Sequence, residues 1–203
     1  MQNRYQHATF AFSANSPKQL AEDAVSEVAF AGRSNAGKSS ALNTLTRQKS
    51  LARVSKTPGR TQLINYFALP QEGDYLVDLP GYGYAAVPPD IQAHWEKLLG
   101  NYLMEREVLR GVVLIMDIRH PLKALDITML DCCAARGLQV HILLTKADKL
   151  KRGAQQQQLQ LVSRELQGFP SPLSLQVFSS LKGEGIDALC HQLDQWFGIK
   201  SGD

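Results

Sequence analysis

No run of apolar residues in this chain approaches the ~20 that a membrane-crossing helix needs. The longest, from Gly111 to Met116, is only of strand length. Cysteine is scarce: there are three, two of them adjacent at Cys132 and Cys133, which excludes both a disulfide framework and metal-ligand spacing. The adjacent pair reads as packing on a buried helix face. The five histidines (His7, His94, His120, His141, His191) are scattered, which excludes a zinc site. Residues 1–7 lack the basic-then-apolar pattern of a leader, so the reading is a cytoplasmic protein without a membrane partner. One more absence is local. Between residues 28 and 71 there is no Asp or Glu, although Arg33, Lys38, Arg47, Lys49, Arg53, Lys56 and Arg60 all fall there.

What is present is ordinary in bulk and specific in detail. With 203 residues, 44% of them hydrophobic, the chain suits one domain with extensions better than two domains. The detail begins at Gly32-Arg33-Ser34-Asn35-Ala36-Gly37-Lys38-Ser39, which fits the pattern G-x-x-x-x-G-K-[ST] without a mismatch. A buried-strand pattern precedes it (27–31) and a helical one follows (39–46). A strand that breaks at glycine and re-enters as a helix aims several backbone N–H groups into one concavity, which binds polyphosphate. Lys38 would reach the β- and γ-phosphates, and the Ser39 hydroxyl would ligate Mg²⁺.

Read in order, the chain alternates strands and helices. Residues 1–24 form an N-terminal arm, with Phe10 and Phe12 suited to pin it as an edge strand. Strands are expected at 61–69, 75–78, 112–116, 140–144 and 174–178, the second antiparallel to the first across the turn 71–74. Helices are expected at 91–106, 121–136 with Leu122, Leu125, Met129 and Leu130 inward, 153–166 and 185–197. Gln155 to Gln158 read as a solvated face. The long polar loop 47–60 reads as functional. The pattern gives an α/β class: a P-loop NTPase with a doubly wound, mainly parallel sheet, one antiparallel strand and helices on both faces. The nucleotide-binding domain would span 25–198, followed by a short tail, 199–203.

Three further motifs fall at the carboxyl ends of these strands, where such sheets bind ligands. Asp78-Leu79-Pro80-Gly81 fits D-x-x-G, whose Asp holds Mg²⁺ through water and whose Gly amide senses the γ-phosphate. Thr145-Lys146-Ala147-Asp148 fits [NT]-K-x-D, the guanine reader. A carboxylate at Asp148 can accept from the ring N1–H and the exocyclic amine of guanine, whereas adenine leaves it unpaired. Phe178-Ser179-Ser180 matches the short loop whose backbone N–H faces the guanine oxygen. For the Mg²⁺-binding threonine there are two candidates, Thr61 and Thr57; Thr61, directly before a strand, is preferred. Asp117-Ile118-Arg119-His120-Pro121 also ends a strand, and reads as a hydrogen-bonded turn entering the next helix in preference to a contact to the second switch (79–89) or to RNA.

The segments GRSNAGKSS (32–40), SKTPGRTQLINYF (55–67), DLPGYGYA (78–85), TKADKL (145–150) and FSSLKGEGI (178–186) together resemble the EngB group of bacterial ribosome-biogenesis GTP-binding proteins. TPGRTQ and DLPGYGYA are distinctive for that group. The resemblance implies a monomeric cytoplasmic GTPase acting in assembly of the large ribosomal subunit, with a role in cell division. It implies nucleotide contacts from Gly59, Arg60, Thr61, Gln62 and Leu63 as well. Catalysis would fall to Lys38, Thr61 and Gly81, and the metal to Ser39 and Thr61. The basic stretch would meet large-subunit rRNA. Tyr82 stands where many GTPases place a water-orienting glutamine, so hydrolysis is expected to be slow. A potassium ion held by Asn35, or the ribosomal partner, would supply the missing chemistry. The alternative is a nucleotide-gated rRNA-binding module with incidental turnover.

Overall fold

The computed structural model describes residues 3–52, 63–83 and 89–199, with backbone alone over 89–96. Seven strands make one sheet: β1 (Thr9–Ala14), β2 (Ser26–Gly32), β3 (Ile64–Ala68), β4 (Asp74–Asp78), β5 (Leu109–Asp117), β6 (Gln139–Thr145) and β7 (Leu173–Val177). Their spatial order is β1-β3-β4-β2-β5-β6-β7. β3 pairs antiparallel with both of its neighbours, and the remaining pairs are parallel, so β3 alone runs against the other six. This is the expected mainly parallel sheet. Its central strands are apolar without alternation because both faces are covered.

The period-2 geometry of a strand divides those residues between two cores. Ala29, Ala31, Val112, Leu114, Ile142 and Leu144 pack with helices α2 (Pro89–Glu105), α3 (Ala124–Arg136) and α4 (Arg152–Glu165). Val28, Phe30, Val113, Ile115 and Leu143 face the other way, onto α1 (Lys38–Leu45) and α5 (Ile186–Trp196). Among the described residues no helix is long and apolar enough to cross a membrane.

The edge strand is where Phe10 and Phe12 predict it. Phe12 stacks on Tyr66 of β3 with ring centroids 4.7 Å apart, while Phe10 meets Phe67 edge-on and stays largely exposed. Before it, a single 3-10 turn (Arg4–His7) buries Tyr5, whose hydroxyl donates to Asp194 of α5 at 2.7 Å. Asn3 and Gln48 tie this segment to the end of α1: Asn3 donates to the Leu45 carbonyl, and Gln48 donates to those of Gln6 and Ala8.

Three helical expectations change. α3 starts at Ala124, not Pro121, because Leu122 takes a left-handed backbone (φ 54°) and Asp126 accepts from the Lys123 N–H to close the first turn. Leu125, expected inward, is exposed; Asp126 is buried in its place. Gln155 is likewise buried, not solvated, and its amide donates to the carbonyls of Ala147 and Leu150.

Candidate nucleotide site

The site begins where β2 stops. At Gly32 a Cβ would lie 2.8 Å from the Ile115 carbonyl oxygen of β5, so only glycine lets the strand end against its neighbour. The loop then turns through two left-handed residues, Asn35 (φ 62°) and Gly37 (φ 104°). Asparagine tolerates that conformation, and Gly37 leads straight into α1. Among the described residues no side chain caps this helix, and its first turn carries no acidic residue to oppose an anion at its positive end. Two amides of the loop are already used within the protein. The Ser34 N–H donates to the Tyr82 carbonyl at 2.8 Å, and that of Ala36 to Arg33 at 3.0 Å.

The loop is held from two sides. On one, Lys38 forms an ion pair with Asp78, the last residue of β4; both side chains are largely buried. Leu79, Pro80 and Gly81 follow, with the Leu79 N–H on the Phe30 carbonyl and Gly81 against the backbone of Ser34. On the other side, the Thr145 hydroxyl lies 2.5 Å from the Ala36 carbonyl and 3.0 Å from that of Met116. Lys146 donates to the Asn35 carbonyl at 2.7 Å and pairs with Asp117 at 3.0 Å. Thr145, in place of the more frequent Asn, thus still reaches the phosphate loop.

At the far end, the fully buried Ser179 donates its hydroxyl to Asp148 at 2.6 Å. That hydrogen bond is the main reason the Asp148 carboxyl sits below its usual range, with Lys149 assisting from 3.6 Å. Ala147 donates to the Phe178 carbonyl, which fastens the two loops together. The Ser179 N–H donates to the Glu184 carbonyl at 3.1 Å.

Several roles differ from what residue types alone convey. Asp117 belongs to the site's support: burial opposes its charge, but hydrogen bonds from Arg119 and Lys146 outweigh that and hold it well below the carboxylate range. Its neighbours do form the expected hydrogen-bonded turn, with Arg119 donating to both carboxylate oxygens. Tyr82 turns away from the loop. It is buried and donates to Asp126 of α3 at 3.0 Å, and burial, then Asp126, push its phenol far above the ordinary value. Arg33 lies half-buried across Gly83. Arg47 and Lys49 sit beyond the C-terminal end of α1, about 12 Å of helix rise from the phosphate loop. Leu63 immediately precedes β3. Gly59, Arg60, Thr61, Gln62, the alternative Thr57, Arg53 and Lys56 lie outside the described residues.

A glycine-rich cradle, a paired lysine and aspartate, and a second loop (145–148) bonded to the cradle are thus in one place. The model of the 50S ribosome-binding GTPase family matches residues 27–146, which carry most of that site. Probable GTP-binding proteins EngB of Salmonella newport (strain SL254) and Vibrio parahaemolyticus are each 55% identical over 193 residues. The match covers 95% of this chain in both cases, and 91% and 88% of those proteins respectively. The chain belongs to the EngB family of GTP-binding proteins. A solved structure of a probable EngB superposes with TM-score 0.69 at 20% identity, covering 85% of this chain and 99% of that one. The fold extends to a bacterial selenocysteine-specific elongation factor, with TM-score 0.61 at 18% identity over 86% of this chain and 29% of that one. EngB-family membership makes the P-loop GTPase fold and GTP binding properties of this chain.

Proposed function

We propose that this chain is a slow GTPase switch that acts in assembly of the large ribosomal subunit in the cytoplasm, with a link to cell division. The observation that carries the nucleotide part is the bonding of Thr145 and Lys146 to the phosphate loop, beside an Asp148 carboxylate fixed by Ser179. This geometry suits a ligand with a guanine at one end and phosphates at the other. The ribosomal part is supported by the family's description and by the acid-free basic stretch. In the nucleotide complex Lys38 would exchange Asp78 for the β- and γ-phosphates. Among the described residues no group of three or more His, Cys, Asp or Glu stands ready for a metal. That suits Mg²⁺, which is commonly held by one or two protein oxygens together with substrate phosphates and water. Ser39 would bind it directly, Asp78 through water and Thr61 as a further ligand; the ion would neutralise charge on the phosphates. Gly81 would offer its amide to the γ-phosphate, and Ser180 its amide to the guanine oxygen.

The test is co-sedimentation with large-subunit particles under GTP, GDP and no nucleotide, with turnover measured alongside. Binding favoured by GTP and turnover raised by particles support a switch. Binding with unchanged turnover favours the rRNA-binding module. Binding should also fall with salt, with a log–log slope of about −0.7 to −0.9 per phosphate contacted by Arg47, Lys49, Arg53, Lys56 and Arg60. A flat dependence would remove that stretch from the interface.

Tyr82 would not orient the attacking water, since its hydroxyl is committed to Asp126, so the barrier would have to be lowered from elsewhere. A potassium ion beside the phosphates, with the exposed Asn35 as ligand, would stabilise charge on the leaving oxygen as an arginine finger does. Steady-state rates in matched potassium and sodium buffers, for the native protein and Asn35→Ala, check this. Potassium should accelerate the native protein alone; four equal rates would leave the ribosomal particle as the activator.

A further inference from the structure

One polar atom of the phosphate loop has no role in the account above. The Ser34 hydroxyl oxygen is fully buried and has no hydrogen-bond partner among the described residues. Its surroundings place it at a seam. The Ser34 backbone lies against Gly81, where an added Cβ would meet the Ser34 Cα and N at 3.6 Å. The seam is stitched by the Ser34 N–H on the Tyr82 carbonyl at 2.8 Å and the Tyr82 N–H on the Gly32 carbonyl at 3.3 Å. The Ser34 amide is therefore committed, and the hydroxyl is the residue's one remaining donor. A buried hydroxyl without a partner disfavours the arrangement that buries it.

Resting on the guanine-nucleotide reading, we propose that Ser34 is a specificity-determining residue for the triphosphate. Its hydroxyl donates to the terminal phosphate of GTP once that phosphate parts the seam between the loop and Gly81. The closed seam then carries an unsatisfied donor that only a nucleotide with a third phosphate relieves. GDP, which ends one phosphate short, leaves the seam shut. Ser34 thus acts through its side chain, separately from the amides and the lysine that both nucleotides use.

The experiment compares fluorescent GDP with a fluorescent non-hydrolysable GTP analogue, by equilibrium titration of the native protein, Ser34→Ala and Ser34→Thr. Ser34→Ala should bind GDP as the native protein does, and the GTP analogue about 10- to 100-fold more weakly, the worth of one hydrogen bond to a charged oxygen. Ser34→Thr keeps the hydroxyl and should recover most of that loss. Nucleotide-free Ser34→Ala should melt no lower than the native protein, since it deletes a donor that has no partner among the described residues. Equal losses for both nucleotides, no loss for either, or a lower melting temperature without nucleotide would each overturn the proposal. A native protein that bound neither nucleotide would instead refute the reading beneath it.

Discussion

Lys38→Ala is expected to weaken GTP binding by about 2–5 kcal/mol, roughly 30- to 5,000-fold, the usual cost of breaking a desolvated charge contact. Lys38 opens α1, and its side chain is only 11% exposed beside Asp78. Its removal takes a cation from the phosphates and leaves a buried carboxylate that has lost its ion-pair partner. For binding the two have opposite signs, because the native protein gives up the Lys38–Asp78 pair when Lys38 moves to the phosphates and the variant does not; the lost phosphate contact is expected to outweigh that relief. The measurement is calorimetric titration with GTP and GDP, with and without Mg²⁺. Ser39→Ala is the control: its defect should act through the metal and shrink when Mg²⁺ is withheld. A Lys38→Ala loss below tenfold, or one that vanished without Mg²⁺, would contradict a direct role on the phosphates.

Asp148→Asn should cost about as much, and it should change the choice of base. Two charge-assisted hydrogen bonds to guanine at about 1.5–3 kcal/mol each amount to roughly 3–6 kcal/mol. The Asn amide still fits beside Ser179 but presents a donor where guanine presents one. Xanthine, which carries an oxygen at that ring position, should therefore gain what guanine loses. Competition titrations with GTP and xanthosine triphosphate read this directly. Unchanged GTP affinity would show that Asp148 does not face the base. Because the Ser179 hydroxyl holds the Asp148 carboxylate in position at 2.6 Å, Ser179→Ala should weaken GTP binding in the same direction by a smaller factor.

The parallel sheet and the phosphate loop were legible because they rest on local signals: unbroken apolar runs, and glycines whose spacing only one backbone path satisfies. The direction of β3 was legible from the tight turn at 71–74, which can join only antiparallel neighbours. Side chains whose partners lie far along the chain were not legible. Gln155 looks solvated within a glutamine run, yet α4 directs it onto the carbonyls of Ala147 and Leu150. Asp126 interrupts an apolar helix face because Tyr82, 44 positions earlier, supplies its hydrogen bond. Asp117 resembles any aspartate at a strand end until Lys146 arrives from β6. In each case a polar residue type was visible while the burial that gives it meaning was not.

Thr145 and Lys146 do more than flank the phosphate loop: they bond to its carbonyls at Ala36 and Asn35. The two ends of the site are therefore fixed in span before any nucleotide arrives, much as the donor atoms of a rigid chelate are fixed for a metal. A molecule in which ribose joins base to phosphates makes its second contact intramolecularly, at the high effective concentration that a fixed span confers. Free guanine and free pyrophosphate must each surrender their own translational freedom, so together they bind far less tightly than their covalent sum. On the proposed placement of base and phosphates, selectivity would depend on distance as well as on chemistry. A ligand with the right ends and the wrong separation gains only one of them.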